Sequence, residues 1–330
     1  MTRYVLAGDV GGTKTDLALF ACESPRRLTL RREHTFSSRD YPTLEAVLGE
    51  FVAAGGDPVA AAAFGVAGPV LGDEVTTTNL PWHIRAADVA RVVGCERVRL
   101  LNDLEATAYG TAFQPPEAFH SLNAGRAQAG NRAVIAAGTG LGQAFLFWDG
   151  TRYRTAPSEG GHADFAPQND REWALTRFLQ RRHPEHVSVE RAVSGPGLFA
   201  IFTFLVEELG RPVEPAVRAR LAGGDPGAVV GEAALHGESA VCAEAVDLFL
   251  GLYGAQAGNL ALTAVAVGGL FVGGGMVVKL LPLVAGPFMR AFNAKGRYAG
   301  FMADIPVRVL LDPATGRLGA AHAAVDLLPG

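Results

Sequence analysis

The sequence predicts an α/β fold in two domains, and three features predict it. A strand, a glycine-rich turn and a second strand follow one another twice, at residues 4–21 and again at 133–148. Helical stretches dominate between Trp173 and Ala266. At 330 residues the chain is long enough for each of two domains to bury its own core.

The elements can be taken in order. Tyr4–Asp9 reads as a strand, followed by a glycine turn and a second strand over Thr15–Ala21. That strand alternates, Leu17 and Leu19 on one face, Asp16 and Ala18 on the other. A third strand covers Leu28–Phe36. Thr43–Ala54 looks helical and stops at Gly55-Gly56. An apolar strand (Ala60–Val66) leads to a polar loop with Thr76-Thr77-Thr78-Asn79. Arg85–Val93 then reads as a helix and Arg97–Leu101 as a strand ending at Asn102-Asp103. The pattern restarts with a strand at Ala133–Ala137, a turn at Gly138–Gly142 and a strand at Gln143–Trp148, where Asp149-Gly150 signals a hairpin. Residues 112–132, with Pro115-Pro116 and the glycines between Gly125 and Gly130, mark the expected junction.

Composition excludes several classes. The formal charge of −4 is small, and the short arginine pairs (Arg26-Arg27, Arg31-Arg32, Arg181-Arg182) form no basic stripe, so no nucleic-acid partner is expected. Cys22, Cys95 and Cys242 stand far apart, as reduced thiols in a cytoplasm would, without a disulfide frame or zinc knuckle. Residues 257–278 carry no charge and are long enough to span a bilayer, but Gly268-Gly269 and Gly273-Gly274-Gly275 would break a lipid-exposed helix. A buried helix ending near Val265, a core strand at Leu270–Val272 and a glycine turn fit better, so no membrane partner is expected.

The run Asp9-Val10-Gly11-Gly12-Thr13-Lys14 has the parts of a phosphate site. Glycines let backbone N–H groups close on an anion, a hydroxyl or ammonium adds a donor, and an upstream carboxylate can hold Mg²⁺ through water. It lacks the GxxxxGK[ST] pattern, and its glycines open a strand rather than a helix, which excludes a dinucleotide fingerprint. Read alone, it is equally a hairpin with a surface Asp. The second turn, Gly138-Thr139-Gly140-Leu141-Gly142, again lies between strands and strengthens the phosphate reading. The third, Gly273-Gly274-Gly275, fits either close helix–strand packing or a ligand.

An acceptor with neutral hydroxyls needs carboxylates and amides. Asn102-Asp103 sits where a strand hands over to a helix. Asn102 can cap that helix, with Glu105 at capping-box spacing, and Asp103 would project from its positive end, which favours the ionised form. That arrangement serves either a structural cap or a general base. Glu159-Gly160-Gly161-His162 puts a carboxylate and an imidazole on one flexible turn, or is a solvated loop; no second ligand at suitable spacing supports zinc at His162. Glu190 reads first as a structural partner of Arg191.

Together these stretches resemble the bacterial glucokinases of the hexokinase/actin/Hsp70 superfamily, the group without the ROK zinc motif. The matching segments are GDVGGTKTDLAL, GVAGPV, TNLPW, LLNDLEATAYG, AAGTGLGQA, EGGHADFAP, HVSVERAVSGPG, GNLALTAVAVGGLFVGGGM and KGRY, in family order from residue 8 to beyond 290. The resemblance implies two actin-like (RNase H-like) α/β domains, mixed sheets flanked by helices, with the active site in the interdomain cleft. Residues 1–111 plus 312–330, with a returning helix near Gly319–Leu328, would form a small domain and 112–311 a large one. It implies ATP-dependent phosphorylation of the glucose 6-hydroxyl in glycolysis, with Asp103 as base. Asn102, Asp103, Glu159, His162 and Glu190 would hold glucose. Asp9 would serve Mg²⁺, while Gly11, Gly12, Thr13, Gly138, Thr139 and Gly140 contact ATP phosphates and Gly274 and Gly275 line the adenosine side. A cytoplasmic homodimer is the family expectation.

Two departures stand out. Lys14 occupies a position where many relatives carry Asn, and either meets phosphate or points to solvent; Ala136-Ala137 precede the second turn where relatives often have Gly or Pro. Three other readings remain to be weighed. A kinase for mannose, fructose or an amino sugar, or one using another phosphoryl donor, would share these motifs. A sugar-responsive transcription regulator needs a helix-turn-helix before the first strand, which here begins at residue 4. An actin- or Hsp70-like ATPase has no use for EGGH with a downstream Glu.

Overall fold

The computed structural model describes residues 2–24, 27–77 and 79–329. Arg26 of the first arginine pair and Thr78 of the expected polar loop lie outside the described residues. In chain order the elements begin with β1 (Arg3–Val10), β2 (Lys14–Ser24), β3 (Arg27–Ser37), α1 (Leu44–Ala53) and β4 (Val59–Val66). Three short strands follow, β5 (Val70–Leu71), β6 (Glu74–Thr76) and β7 (His83–Arg85), then α2 (Ala86–Val93), β8 (Val98–Asn102) and α3 (Asp103–Gly110). Next come β9 (Phe119–Asn123), β10 (Arg132–Ala137), β11 (Leu141–Trp148), β12 (Tyr153–Ser158), α4 (Asp170–Arg182), α5 (Gly195–Glu207), α6 (Pro215–Leu221), α7 (Pro226–Leu235) and α8 (Ala240–Ala264). The chain ends with β13 (Gly269–Gly273), α9 (Gly275–Lys279), α10 (Leu281–Asn293), α11 (Ala299–Asp304), β14 (Val307–Leu310) and α12 (Thr315–Val325).

The chain divides into two compact units, residues 1–118 with 144–157 and 312–330, and residues 119–143 with 158–311. One sheet is ordered β3-β2-β1-β4-β8, another β12-β11-β10-β13-β14-β9, and a small one β5-β6-β7. In the first, β1, β4 and β8 run parallel while β2 and β3 are antiparallel neighbours. In the second, β10, β13 and β14 run parallel and β9 is antiparallel at the edge. Both sheets are therefore mixed, as expected from the family resemblance.

In the first unit β1 is central, and its two faces feed two cores, as the two-residue period of a strand requires. Leu6 and Val10 join Leu17, Leu19 and Phe64, covered by Leu44, Leu48 and Phe51 of α1. Val5 and Ala7 join Ala18, Ala61 and Ala63 under the alanine stripe of α12, Ala320, Ala321 and Ala324. Small side chains let α12 and α3 approach at backbone distance. A Cβ on Gly319 would lie 1.8 Å from the Ala106 carbonyl oxygen, and one on Gly110 would lie 2.0 Å from that of Thr315. Neither glycine tolerates a side chain, so this contact fixes α3 and Asp103 at its start.

In the second unit α8 packs on α10 in the same way: a Cβ on Gly254 would lie 2.1 Å from the Phe288 carbonyl oxygen. The uncharged stretch at 257–278 is the end of α8, the buried strand β13 and the start of α9, and no described helix is long and apolar enough to cross a membrane. Cys22, Cys95 and Cys242 are unpaired.

Candidate active site

The first glycine turn joins β1 to β2 in the first unit. The antiparallel register ends at Val10↔Thr15, and the Gly11 N–H closes the turn on the Lys14 carbonyl at 2.9 Å. Ser38 braces it from outside: its N–H donates to the Thr13 carbonyl (3.0 Å) and its hydroxyl to that of Gly11 (2.8 Å). Gly12 lies against Asn79 of the TNLPW segment; a Cβ there would meet the Asn79 Cβ at 2.5 Å. Thr13 is exposed at the tip.

Asp9, at the end of β1, is partly buried. Burial first, then the charges of Asp103 and Asp16, push its carboxyl up to about 6. Asp16, its register partner on β2, differs: burial opposes ionisation, but hydrogen bonds from Lys14 and Thr35 hold it below the usual carboxylate range. Lys14 is thus engaged with Asp16, Nζ to Oδ2 at 2.7 Å, and is well exposed.

Asp103 is the first residue of α3, with Asn102 as cap. The Asn102 Oδ1 accepts from the N–H groups of Leu104 (3.0 Å) and Glu105 (3.3 Å), and its amide donates to the Gly68 carbonyl of GVAGPV at 3.1 Å. The buried side chain keeps one amide N–H beyond these bonds. The expected reciprocal half of the capping box is replaced: the Glu105 carboxylate takes hydrogen bonds from Arg99 and Thr155 instead. Gly65, at the end of β4, lets α3 come close, since a Cβ there would lie 2.8 Å from that of Ala106. Asp103 sits at the positive end of the helix, which favours its carboxylate form.

The second unit gathers the other predicted residues. At the second glycine turn the Gly138 N–H donates to the Gly140 carbonyl and the Gly195 N–H to that of Gly138, both at 2.8 Å. Glu190 lies on a single 3-10 turn (Val189–Arg191), and its Oε2 accepts the Leu141 N–H at 2.8 Å. Its carboxylate therefore braces the turn's exit, a role its sequence position beside Arg191 does not convey. The Glu159–His162 segment is a 3-10 turn whose glycines serve packing rather than flexibility. A Cβ on Gly161 would lie 1.9 Å from the Leu141 carbonyl oxygen, and one on Gly160 2.5 Å from Oε1 of Gln143. Glu159 and His162 are both exposed, 3.9 Å apart. The Val189 N–H bonds to Ala163 (2.9 Å), which brings this turn beside that of Glu190.

Gly274 adopts φ +93°, and a Cβ there would lie 2.1 Å from the Ala137 carbonyl oxygen, so close packing alone demands glycine. Gly275 opens α9 with free space around it. Gly275, Gly138 and Thr139 line one cavity of about 660 Å³, whose apolar wall comes from Leu198 and Phe199 of α5, Pro226 of α7 and Met276 of α9. Sequence reasoning missed this wall, which forms only when three helices converge. Among the described residues no group of three or more His, Cys, Asp or Glu could hold a metal ion.

Comparison with known proteins identifies the family. Residues 6–327 match the family described as Glucokinase. A glucokinase of Nostoc punctiforme is 37% identical over 338 residues, covering 98% of this chain and 99% of its own. Among solved structures, a glucokinase from an Antarctic psychrotroph is similar with a TM-score of 0.84 at 27% identity, covering 98% of this chain and 99% of that one. A ROK-family glucokinase from Streptomyces griseus, in complex with glucose and AMPPNP, shares the fold at a TM-score of 0.64 and 22% identity, covering 98% of this chain and 99% of that one.

Proposed function

The chain belongs to the glucokinase family, and on that footing we propose that it transfers the γ-phosphoryl group of ATP to the 6-hydroxyl of D-glucose, with Asp103 as general base. The observation that carries the assignment is the placement of Asp103 at the positive end of α3, capped by a buried Asn102 whose oxygen is fully committed to that helix. An ionised carboxylate so held can take the hydroxyl proton as the sugar oxygen bonds to phosphorus and the bond to the leaving ADP breaks. The proton then passes to solvent.

Asn102 offers its remaining N–H to a sugar hydroxyl. Glu159, His162 and Glu190 bind further hydroxyls, and the exposure of the first two leaves them available to a ligand. Gly11, Gly12 and Thr13, and separately Gly138, Thr139 and Gly140, meet the phosphate oxygens: the Gly11 and Gly138 N–H groups close their own turns, and the N–H groups of the other four, with the threonine hydroxyls, are offered to phosphate. Gly274 and Gly275 border the adenosine, whose base fits the apolar cavity below the second turn. Asp9 fits Mg²⁺ in one respect: burial first, and then the charges of Asp103 and Asp16, make its ionised form costly, and a cation relieves that cost. One or two carboxylates plus nucleotide phosphates and waters is the usual holding of Mg²⁺, which would neutralise phosphate charge. The same reading makes the protein a cytoplasmic homodimer acting at the start of glycolysis.

A panel of hexoses against ATP and polyphosphate tests the proposal. Glucose with ATP should give a kcat/KM exceeding that of mannose, fructose and glucosamine by about tenfold or more. Turnover with another hexose or with polyphosphate, and none with glucose and ATP, would overturn the substrate assignment.

A further inference from the structure

Helix α8 carries a single phenol within the apolar run Leu250-Gly251-Leu252-Tyr253-Gly254-Ala255. Tyr253 is fully buried, and its ring packs on Phe249 and, edge-on, on Phe288 at 5.5 Å. Burial pushes the phenol pKa up, so the hydroxyl keeps its proton. A buried hydroxyl must find partners, and this one has three. It accepts the Ala137 N–H at 3.0 Å and lies 3.1 Å from each of the Ile135 and Gly273 carbonyl oxygens, to either of which it can donate.

Those backbone groups share a location. The parallel register of β10 and β13 ends at Ala136↔Gly273. Beyond it the strands stop pairing, and the next residues, Ala137-Gly138 on one and Gly274-Gly275 on the other, lead into the two glycine turns. Ala137 would otherwise bury an N–H with no ladder partner. The phenol takes the place of the missing rung, and the close approach of Gly274 to the Ala137 carbonyl leaves little freedom in how the two strand ends sit.

We propose that Tyr253 is a positioning residue for the nucleotide, fixing the spacing of the two strand ends from which the phosphate turn (Gly138–Gly140) and the adenosine turn (Gly274-Gly275) depart. It touches no ligand itself. The inference rests on the reading that these turns hold ATP. A purely structural tyrosine would stabilise the fold and leave ligand affinities alone; a positioning one changes nucleotide affinity selectively.

Tyr253→Phe keeps the ring and nearly all the volume, so the fold survives. AMPPNP affinity is measured by calorimetry without sugar on the full-length wild type and variant, alongside the KM values for ATP and glucose and a thermal melt. The expected result is AMPPNP binding and ATP KM weaker by about tenfold, equivalent to about 1.4 kcal/mol, with the glucose KM within about twofold of wild type. A variant that melts at lower temperature while its AMPPNP affinity and ATP KM match the wild type would overturn the proposal and leave the nucleotide reading standing. Failure of the wild type itself to bind AMPPNP would overturn that reading and the proposal with it.

Discussion

At the first glycine turn the surroundings are mostly charged, and at the second they are mostly apolar. Both turns join two strands and leave backbone N–H groups at their tips. Around Gly11–Thr13 stand Asp9, Asp16, Asp103, Lys14 and Arg317, close enough that the charges of the other four all act on the Asp9 carboxyl. Around Gly138–Gly140 stand Gly195, Pro196, Leu198 and Met276, with Asp225, Glu232 and Lys279 farther along the cavity wall and the Glu190 carboxylate bonded to the strand that leaves the turn. One backbone device thus serves two tasks. On the proposed reading, the fold supplies acids and cations where phosphate charge and a proton must be handled, and helix walls where a flat base must be desolvated. The difference lies mainly in the residues each turn is packed against, since each turn is itself built of glycines and one threonine between two strands.

The largest expected effect tests the charged side. Asp103→Asn keeps the side-chain shape and removes the base, and should lower kcat by about 10²–10⁴, the usual worth of an acid–base group. AMPPNP binding should be unchanged. A variant with near-normal turnover would move the base elsewhere and dissolve the contrast between the turns.

Asp9 should show the strain of the charged side in the absence of ligand. Its carboxyl titrates at about 6 when folded, against an ordinary 3.8. An acid with a raised folded pKa stabilises the fold only while protonated, so its contribution is complete below about pH 4 and lost as pH rises through 6. Asn is neutral throughout. In denaturant unfolding without ligands, Asp9→Asn should therefore gain on the wild type from pH 4 to pH 7.5, by up to about 3 kcal/mol. Its kinase activity should fall even as its stability rises. An identical stability difference at both pH values would show that Asp9 is not held out of its preferred state.

On the apolar side the brace is Glu190. Glu190→Ala should lower kcat/KM for glucose by about 10- to 100-fold, since a hydrogen bond to a charged group is worth roughly 1.5–3 kcal/mol. Gly140→Ala acts on the same carboxylate, because its Cβ would lie 2.5 Å from the Glu190 Oε2 and push it from Leu141. The two changes should be strongly non-additive when combined. Full additivity in the double mutant would mean that the brace is incidental.

Much of this was legible in the sequence, for physical reasons that vary with the element. The strands flanking each glycine turn are local patterns: β1, β4 and β10 lie within a residue of their expected positions, and β2 runs three residues past its expected end. The cap at Asn102 was readable because Asn before a helix has a short list of uses, yet its partner Glu105 was drawn off by Arg99 and Thr155, which the sequence places far apart. Short strands such as β5–β7, β9 and β14 escaped because two to five residues carry no usable period. The flexibility read into Gly160-Gly161 was an error of the same origin: a glycine needed for close approach looks identical, in sequence, to one needed for movement. Glu190 shows the limit most clearly. Its bond to Leu141 spans 49 positions, and no spacing rule foresees it.

The smallest expected effect concerns Lys14, and it decides how far the charged turn extends toward its ligand. The ammonium is bound to Asp16, and most of its side chain lies in solvent. An exposed pair of this kind contributes about 0–1 kcal/mol, and here Asp16 retains the Thr35 hydroxyl if the lysine is lost. Lys14→Asn should then raise the ATP KM by no more than about fivefold at low salt, with the difference shrinking as salt screens the charge. It should also raise the Asp9 pKa slightly further, because Lys14 is one of the two cations that hold it down. Steady-state kinetics at two ionic strengths separate the cases. A loss of 50-fold or more that persists at high salt would mean that Lys14 leaves Asp16 to bind phosphate directly (about 2.3 kcal/mol by the usual conversion), and the charged turn would then reach its ligand through a side-chain cation as well as through backbone N–H groups.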